Sequence, residues 1–392
     1  MEFTIFLTTE CNFECKYCYE NCCIENYRYM SKEMIIAVIE HIFMTQNTGL
    51  YNINFFGGEP TLVFDIIRYA VDCVEKKYTS CGKIEFSINT NGSRIDSEMI
   101  DYFCRHDFSV KISLDGNKYY NNLNRKLKSR EDVYEKILHH AVLLNQAGVK
   151  NSIRMTVTEN TVAALFENFI FLYDCGFRNI NIGLDFNCFF EDKDLDEFAK
   201  GLNDIADFII QKWNMGDKIL VNYFSGQFDK FVLDYGNHFN MCGGGITSLR
   251  YMPDGKVYPC NIVAGDERFC IGDVWRRISV DNVFELIKGH VDMDNNSKCL
   301  NCQLAFYCHY MKCGYMNCIN TGYFNKPSEI ACKTQKITYP IVNRVFEYVL
   351  NNKIEVLMPY IRYAMDNNFK LRKQVQLAIE GERKKKNVYI NT

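Results

Sequence analysis

Phe3-Thr4-Ile5-Phe6-Leu7-Thr8-Thr9-Glu10-Cys11-Asn12-Phe13-Glu14-Cys15-Lys16-Tyr17-Cys18 decides how the rest of the chain is read. A β-rich run passes directly into a C-x3-C-x2-C loop with an aromatic residue, Tyr17, just before the third cysteine. Three thiolates on one short loop can each ligate one iron of a 4Fe–4S cube and leave the fourth iron open. At the cysteine frequency of this chain such a spacing arises by chance about 0.05 times. The competing reading is a structural zinc loop, which needs a fourth Cys or His nearby; Cys22 is placed to supply it.

Outward from this loop, two periods alternate. Runs at 3–8, 51–56, 83–90, 108–114, 150–157 and 179–185 are rich in β-formers, and the segments between them carry apolar residues at helical spacing. Met34, Ile35, Val38, Ile39, Ile42 and Phe43 share one face of a helix over 32–44, with Ser31 as its N-cap. Helices are also expected over 64–78, 96–105, 131–147, 161–175 and 194–213, with Gly148 and Gly176 following two of them at the left-handed C′ position. Strand–helix alternation implies a parallel sheet with helices outside, and six repeats make an α/β partial (β/α)6 barrel rather than a closed eight-fold one. Residues 116–130, rich in Asn, Lys and Arg, read as a loop over the barrel mouth.

Polar clusters recur at the carboxyl ends of successive strands. After the cysteine loop come Phe55-Phe56-Gly57-Gly58-Glu59-Pro60, then Asn89-Thr90-Asn91-Gly92, then Ser113-Leu114-Asp115-Gly116. Parallel α/β barrels place their sites at these ends. From 242 to 332 cysteines and glycines are dense and helical spacing largely disappears, as in a small domain organised by metal. Helical spacing returns over 337–383, before a polar tail that includes Lys384–Lys386. The expected division is 1–220, a partial barrel; 221–336, a cysteine-rich domain; and 337–392, C-terminal helices and tail.

Composition narrows the function. With 45 basic and 48 acidic side chains, net −3, no global field attracts nucleic acid or anionic lipid. No stretch is apolar enough to span a membrane, and the first residues do not read as a secretory signal. The 19 cysteines are therefore expected to stay reduced in a cytoplasm and to hold metal or do redox work. Cys73, Cys81, Cys104, Cys175, Cys188, Cys270 and Cys318 read as structural thiols, whereas Cys22 and Cys23 follow the loop closely enough to test. The histidines form no catalytic set; His139 and His140 fall inside a helix.

Over residues 1–220 the chain resembles the radical S-adenosylmethionine (radical SAM) superfamily, through the C-x3-C-x-aromatic-C loop and the Gly57-Gly58-Glu59-Pro60 motif. The resemblance implies that Cys11, Cys15 and Cys18 ligate a 4Fe–4S cluster whose open iron is chelated by SAM. It implies that Gly57, Gly58 and Glu59 hold the SAM amino group, that Tyr17, Asn89 and Ser113 line the cofactor, and that Arg125 pairs with its carboxylate. A one-electron reductant of the flavodoxin or ferredoxin type then drives homolysis of SAM, and the 5′-deoxyadenosyl radical takes hydrogen from an unactivated carbon.

Cys242, Gly255-x4-Cys260, Cys299-x2-Cys302-x5-Cys308-x4-Cys313 and Cys332 resemble the SPASM domain, which carries two auxiliary 4Fe–4S clusters. That resemblance assigns Cys299, Cys302, Cys308 and Cys332 to a distal cluster, and Cys242, Cys260 and Cys313 to a proximal one. The family usually has three residues where four separate Cys308 from Cys313; Cys313, one residue from the expected place, is preferred to Cys318. Only three proximal ligands leave room for a substrate thiolate and hence for thioether formation. Such enzymes mostly mature ribosomally made peptides, so the expected substrate is a Cys-containing precursor peptide. Its leader would be recognised by a separate protein, by 116–130 or by the C-terminal helices, since the chain begins at its first strand with no winged-helix domain. The alternative is an anaerobic sulfatase maturase forming formylglycine. Those enzymes carry an Asp base directly after the Gly-x4-Cys cysteine, where this chain has Asn261, which cannot usefully accept a proton. A non-catalytic iron–sulfur or zinc binding protein is the reading from a different class.

Overall fold

A computed structural model describes residues 1–20, 28–45, 49–185, 190–234, 242–276, 278–291, 299, 301–366 and 369–380. Cys22, Cys23, Cys188 and the tail at Lys384–Lys386 lie outside the described residues.

Strands β1 (Glu2–Thr8), β3 (Leu50–Gly57), β4 (Lys83–Thr90), β5 (Ser109–Ser113), β7 (Lys150–Val157) and β8 (Asn179–Leu184) are the six expected runs, and each pairs in parallel with the next. Between them come α1 (Lys32–Thr45), α2 (Phe64–Lys77), α3 (Ser97–Arg105), α5 (Tyr134–Gln146) and α6 (Leu165–Asp174), with α7 (Asp192–Asn214) after β8. The Ser31 hydroxyl accepts from the Met34 N–H at 3.1 Å, and Gly148 and Gly176 take φ of 75° and 95°, the cap and stops the sequence predicts. Ile53, Phe55, Phe86, Ile88, Val110, Ile112, Ile153 and Ile180 are buried beneath the helices. The alternate residues Asn54, Ser87, Lys111, Arg154 and Asn181 form the opposite, polar face, none of them buried. Glu2 on β1 acts electrostatically on Lys111 of β5, although β3 and β4 separate those strands in the sheet. The sheet therefore curls its polar face around an open lumen.

Two findings depart from the sequence reading. First, residues 116–130 are not a plain loop. They form α4 (Lys118–Asn124) and β6 (Arg125–Leu127), and β6 pairs antiparallel with β2 (Phe13–Cys15) of the cysteine loop itself. The helix lacks apolar periodicity because its buried residues are Asn121, which accepts from the Asp115 N–H, and Asn124, whose Nδ2 donates to Thr158. The Asn117 side chain caps it by accepting from the Tyr120 N–H at 3.3 Å.

Second, the cysteine-rich stretch is built into the barrel sheet. The sheet ends with β9 (Leu220–Val221) on one side; after β10 (Leu233–Asp234) the chain returns to its other side. There β11 (Ser248–Tyr251) pairs in parallel with β1, Thr4 opposite Arg250, and β12 (Lys256–Tyr258) and β13 (Gly272–Asp273) follow antiparallel. Helices α8 (Val280–Lys288) and α9 (Gly314–Thr321) also interrupt this stretch. A small second core of Phe6, Tyr258, Phe269, Tyr315 and Phe324 joins it to β1. Helix α10 (Glu329–Asn352) then packs along α7, with Lys333 to Asp192 at 2.8 Å and an Arg344–Asp207 ion pair. Then come α11 (Met358–Asp366) and β14 (Lys370–Leu371), which pairs with β10. No helix among the described residues is long and apolar enough to cross a membrane.

Candidate active site

The cysteine loop is held from three sides. Below it, the Gly58 N–H donates to the Thr8 carbonyl at 2.9 Å and the Glu59 N–H to the Glu10 carbonyl at 2.8 Å. A Cβ on Gly58 would meet the Glu10 oxygen at 2.1 Å, and one on Gly57, at φ 128°, would meet the Thr8 oxygen at 2.3 Å. The glycine pair thus lets the β3 turn press directly against the loop. Beside it, Asn91 Nδ2 reaches Asn12 Oδ1 at 2.8 Å and Cys11 Sγ at 3.8 Å. Above it, the β2–β6 pairing sets Cys15 opposite Arg125.

Arg125 is buried, with its guanidinium over the Phe13 ring at 5.6 Å. It donates to the Tyr17 hydroxyl at 2.8 Å, and Tyr17 donates to Asp115 at 2.7 Å; Asp115 also accepts from the Thr156 N–H at 2.9 Å. This chain ties the loop to the ends of β5 and β7. Burial pushes the Cys15 thiol up to about 12; the Arg125 charge opposes this, while Cys11 and Cys18 reinforce it. Three thiols close enough to disfavour one another's ionisation, beside a buried cation, suit a bound group that carries positive iron. The Asn91 amide and the Phe13 N–H, 3.4 Å from Cys11 Sγ, add donors toward sulfur.

Glu59 is fully buried and both its oxygens are engaged. Oε1 accepts from Thr61 and, at 2.7 Å, from the Thr90 hydroxyl; Oε2 accepts from the Asn91 N–H at 2.7 Å. Burial raises its pKa, and these donors oppose the rise. Glu59 therefore braces the ends of β3 and β4 together. Asn89 and Ser113 lie on the lumen face, Asn89 opposite Lys111 and Ser113 opposite Arg154. The sequence reading named Asn89; Asn91, which touches the loop, was only part of the quoted motif. Lumen residues Arg154, Lys111 and Tyr19 were missed, although period-two counting from Ser113 marks Lys111.

The downstream cysteines fall into two groups. Cys299, Cys302, Cys308 and Cys332 line a single cavity of about 420 Å³, roomier than one metal ion needs. Cys242, Cys260 and Cys313 are mutual electrostatic neighbours, and burial raises Cys313 to about 12. Cys318 instead lies in the second core, with Arg268 and Asp266 as its charged neighbours. Next to Cys260, the Asn261 side chain accepts from Arg250, which is paired with Glu2 at 3.0 Å, and it also hydrogen-bonds Tyr19 of the cysteine loop. The two cysteine-bearing regions thus meet across the lumen.

The profile of the Radical SAM superfamily matches residues 5–172. The chain is 25% identical over 293 residues, 71% of its length, to a cysteine-type anaerobic sulfatase-maturating enzyme of Clostridium perfringens, covering 78% of that protein. Its fold is similar to native anSMEcpe with bound AdoMet, at TM-score 0.75 and 22% identity over 90% of this chain and 99% of that one. It is also similar to Streptococcus suis SuiB bound to precursor peptide SuiA, at TM-score 0.62 and 18% identity over 84% and 75% of the two chains. The matched stretch contains the braced cysteine loop, the double-glycine turn and the strand-end polar sets, and over residues 5–172 the chain carries a radical SAM domain.

Proposed function

We propose that the chain is a radical SAM maturase of a peptide, which takes hydrogen from a substrate carbon and joins that carbon to a substrate sulfur or another atom. Cys11, Cys15 and Cys18 would hold the SAM-binding cluster; Cys299, Cys302, Cys308 and Cys332 a distal auxiliary cluster; and Cys242, Cys260 and Cys313 a proximal one. The division into 1–220, 221–336 and 337–392 follows these roles. With SAM bound, the cofactors supply one electron and a 5′-deoxyadenosyl radical. The protein's own part is to position and shield. Gly57 and Gly58 bring backbone against the loop, and Glu59, whose oxygens are engaged by Thr61, Thr90 and Asn91, braces the turn at which the SAM amino group would be met. Asn89 and Ser113 offer hydrogen bonds along the lumen, and the Arg125–Tyr17–Asp115 chain fixes the loop. Because Arg125 already donates to Tyr17, its charge supports the cluster loop as much as any SAM carboxylate.

The observation that carries the choice of chemistry is Asn261. It stands between Arg250 and Tyr19 at the lumen, next to Cys260. Its amide cannot act as the base that formylglycine formation uses at this place. A carbon–sulfur bond needs no such base at Asn261: two hydrogens leave in total, one as the atom taken by the radical, the other as a proton and an electron. The sulfatase-maturase reading keeps one specific support, the likeness to the Clostridium perfringens enzyme.

Anaerobic reconstitution should give about twelve irons per chain and SAM-dependent 5′-deoxyadenosine. Incubation with Cys-containing peptides should give products two hydrogens lighter and resistant to thiol alkylation. Four irons would remove the auxiliary clusters, and an aldehyde product trapped by hydrazine would replace cross-linking with formylglycine formation. The external reductant and any separate leader-binding protein are part of the same proposal, as is action in the cytoplasm.

A further inference from the structure

The lumen holds two positive charges, Lys111 and Arg154, with no hydrogen-bonded or ion-paired acid among the described residues. Lys111 of β5 and Arg154 of β7 sit on the polar face, Lys111 opposite Ser152 and Arg154 opposite Ser113, so they are diagonal neighbours on adjacent strands. Neither side chain makes a hydrogen bond or ion pair among the described residues. The two acids that act on them have other partners: Glu2 is paired with Arg250 at 3.0 Å, and Asp115 accepts from Tyr17 at 2.7 Å. Arg154 is also housed. Its guanidinium lies across Gly183 of β8, where a Cβ would come within 2.3 Å of a guanidinium nitrogen. A glycine in mid-strand weakens a sheet, and here it makes the notch in which Arg154 rests. Burial and the neighbouring Arg154 lower the Lys111 pKa, and the charge of Glu2 opposes this only in part.

Resting on the peptide reading above, we propose that the substrate presents a carboxylate to Lys111 and Arg154, beside the residue that is modified. Two cations on adjacent strands, one of them a planar fork, match the two oxygens of a carboxylate. The pair lies on the strand face that also carries Ser113, so an anchored acid would hold its neighbour in the sequence within reach of the radical. The acid is a Glu or Asp side chain, or the free end of the peptide. SAM also has a carboxylate, and the test separates these sources.

The experiment uses the anaerobically reconstituted full chain loaded with SAM. The probes are N-acetylated, C-amidated pentapeptides identical except for a central Glu, Gln or Lys, and the Gln peptide with a free C-terminus. Dissociation constants are read by ligand-observed NMR. The Glu peptide should bind about tenfold tighter than its Gln twin, a difference worth about 1.4 kcal/mol, and Lys111→Met or Arg154→Gln should erase that preference. Equal gain from the free C-terminus assigns the carboxylate to the peptide end. Lys111→Glu should invert the preference toward a central Lys, which keeps the claim testable if the neutral variants fold poorly. Equal binding of Glu and Gln to the unaltered chain overturns the carboxylate proposal alone. Loss of peptide-independent 5′-deoxyadenosine formation in Arg154→Gln overturns it in favour of the SAM carboxylate. Failure of every peptide to bind overturns it together with the peptide reading.

Discussion

A methyl group on Gly58 would sit 2.1 Å from the Glu10 carbonyl oxygen and 2.8 Å from the Cys11 nitrogen, both backbone atoms that cannot swing aside. Gly58→Ala is therefore expected to displace the cysteine loop, at a cost of about 1–3 kcal/mol, and to lower iron content before it abolishes folding. Iron quantification alongside thermal melting checks this: a variant with full iron and an unchanged melting temperature would contradict it. His41 allows a second test. It is buried, with Nδ1 3.0 Å from the Tyr251 hydroxyl and Nε2 3.2 Å from the Arg276 carbonyl, and burial lowers its pKa from 6.5. Below pH 6.5 the unfolded chain therefore binds a proton that the folded chain resists. Stability then falls as pH drops toward the depressed folded value, by at most about 1.4 kcal/mol per pH unit for one proton. His41→Gln should flatten the melting-temperature profile below pH 6.5 relative to the unaltered chain; parallel profiles would remove His41 as the source.

At the scale of elements, β6 is three residues long and yet clamps the cysteine loop, with the Lys128 N–H donating to the Asn12 carbonyl at 2.8 Å and the Lys16 N–H to the Asn124 carbonyl at 2.9 Å. Lys128→Pro removes one of these donors. The expected outcome is a fall in SAM-dependent 5′-deoxyadenosine formation with secondary structure retained, read by product chromatography and circular dichroism. This clamp was not legible in the sequence. A helix whose inward residues are Asn121 and Asn124 has no apolar stripe, and a three-residue strand has too few residues to show alternation. The six long strands were legible because each alternates or runs apolar between turn residues, as Tyr51, Ile53 and Phe55 do against Asn52 and Asn54. The cysteine loop and Gly57-Gly58-Glu59 were legible from spacing. The lumen cations were not. Period two assigns Lys111 a face, but only the strand order and curl bring Glu2 and Arg154 near it.

At the scale of the whole molecule, the barrel and the cysteine-rich stretch share one sheet. Residues Glu2 to Ile5 pair with Ser248 to Tyr251, and Phe6 packs in the second core with Tyr258 and Tyr315. A chain ending at residue 241 should therefore not persist as an isolated radical domain. It would expose the β1 edge and the apolar residues beneath it, so insoluble or unfolded product is expected, measured by soluble yield and circular dichroism. A soluble, folded, iron-binding fragment would show that the sheet tolerates a bare edge.

The β1–β11 pairing also sets a timetable. Strand β1 waits for a neighbour synthesised 246 residues later, Glu2 being opposite Ser248, and at roughly 5–20 residues per second that delay is on the order of tens of seconds. Through that interval the nascent chain carries an unsealed hydrogen-bonding edge beside three thiols, so cluster delivery and chaperone protection belong after translation of the downstream strand, not alongside emergence of the loop that receives the iron.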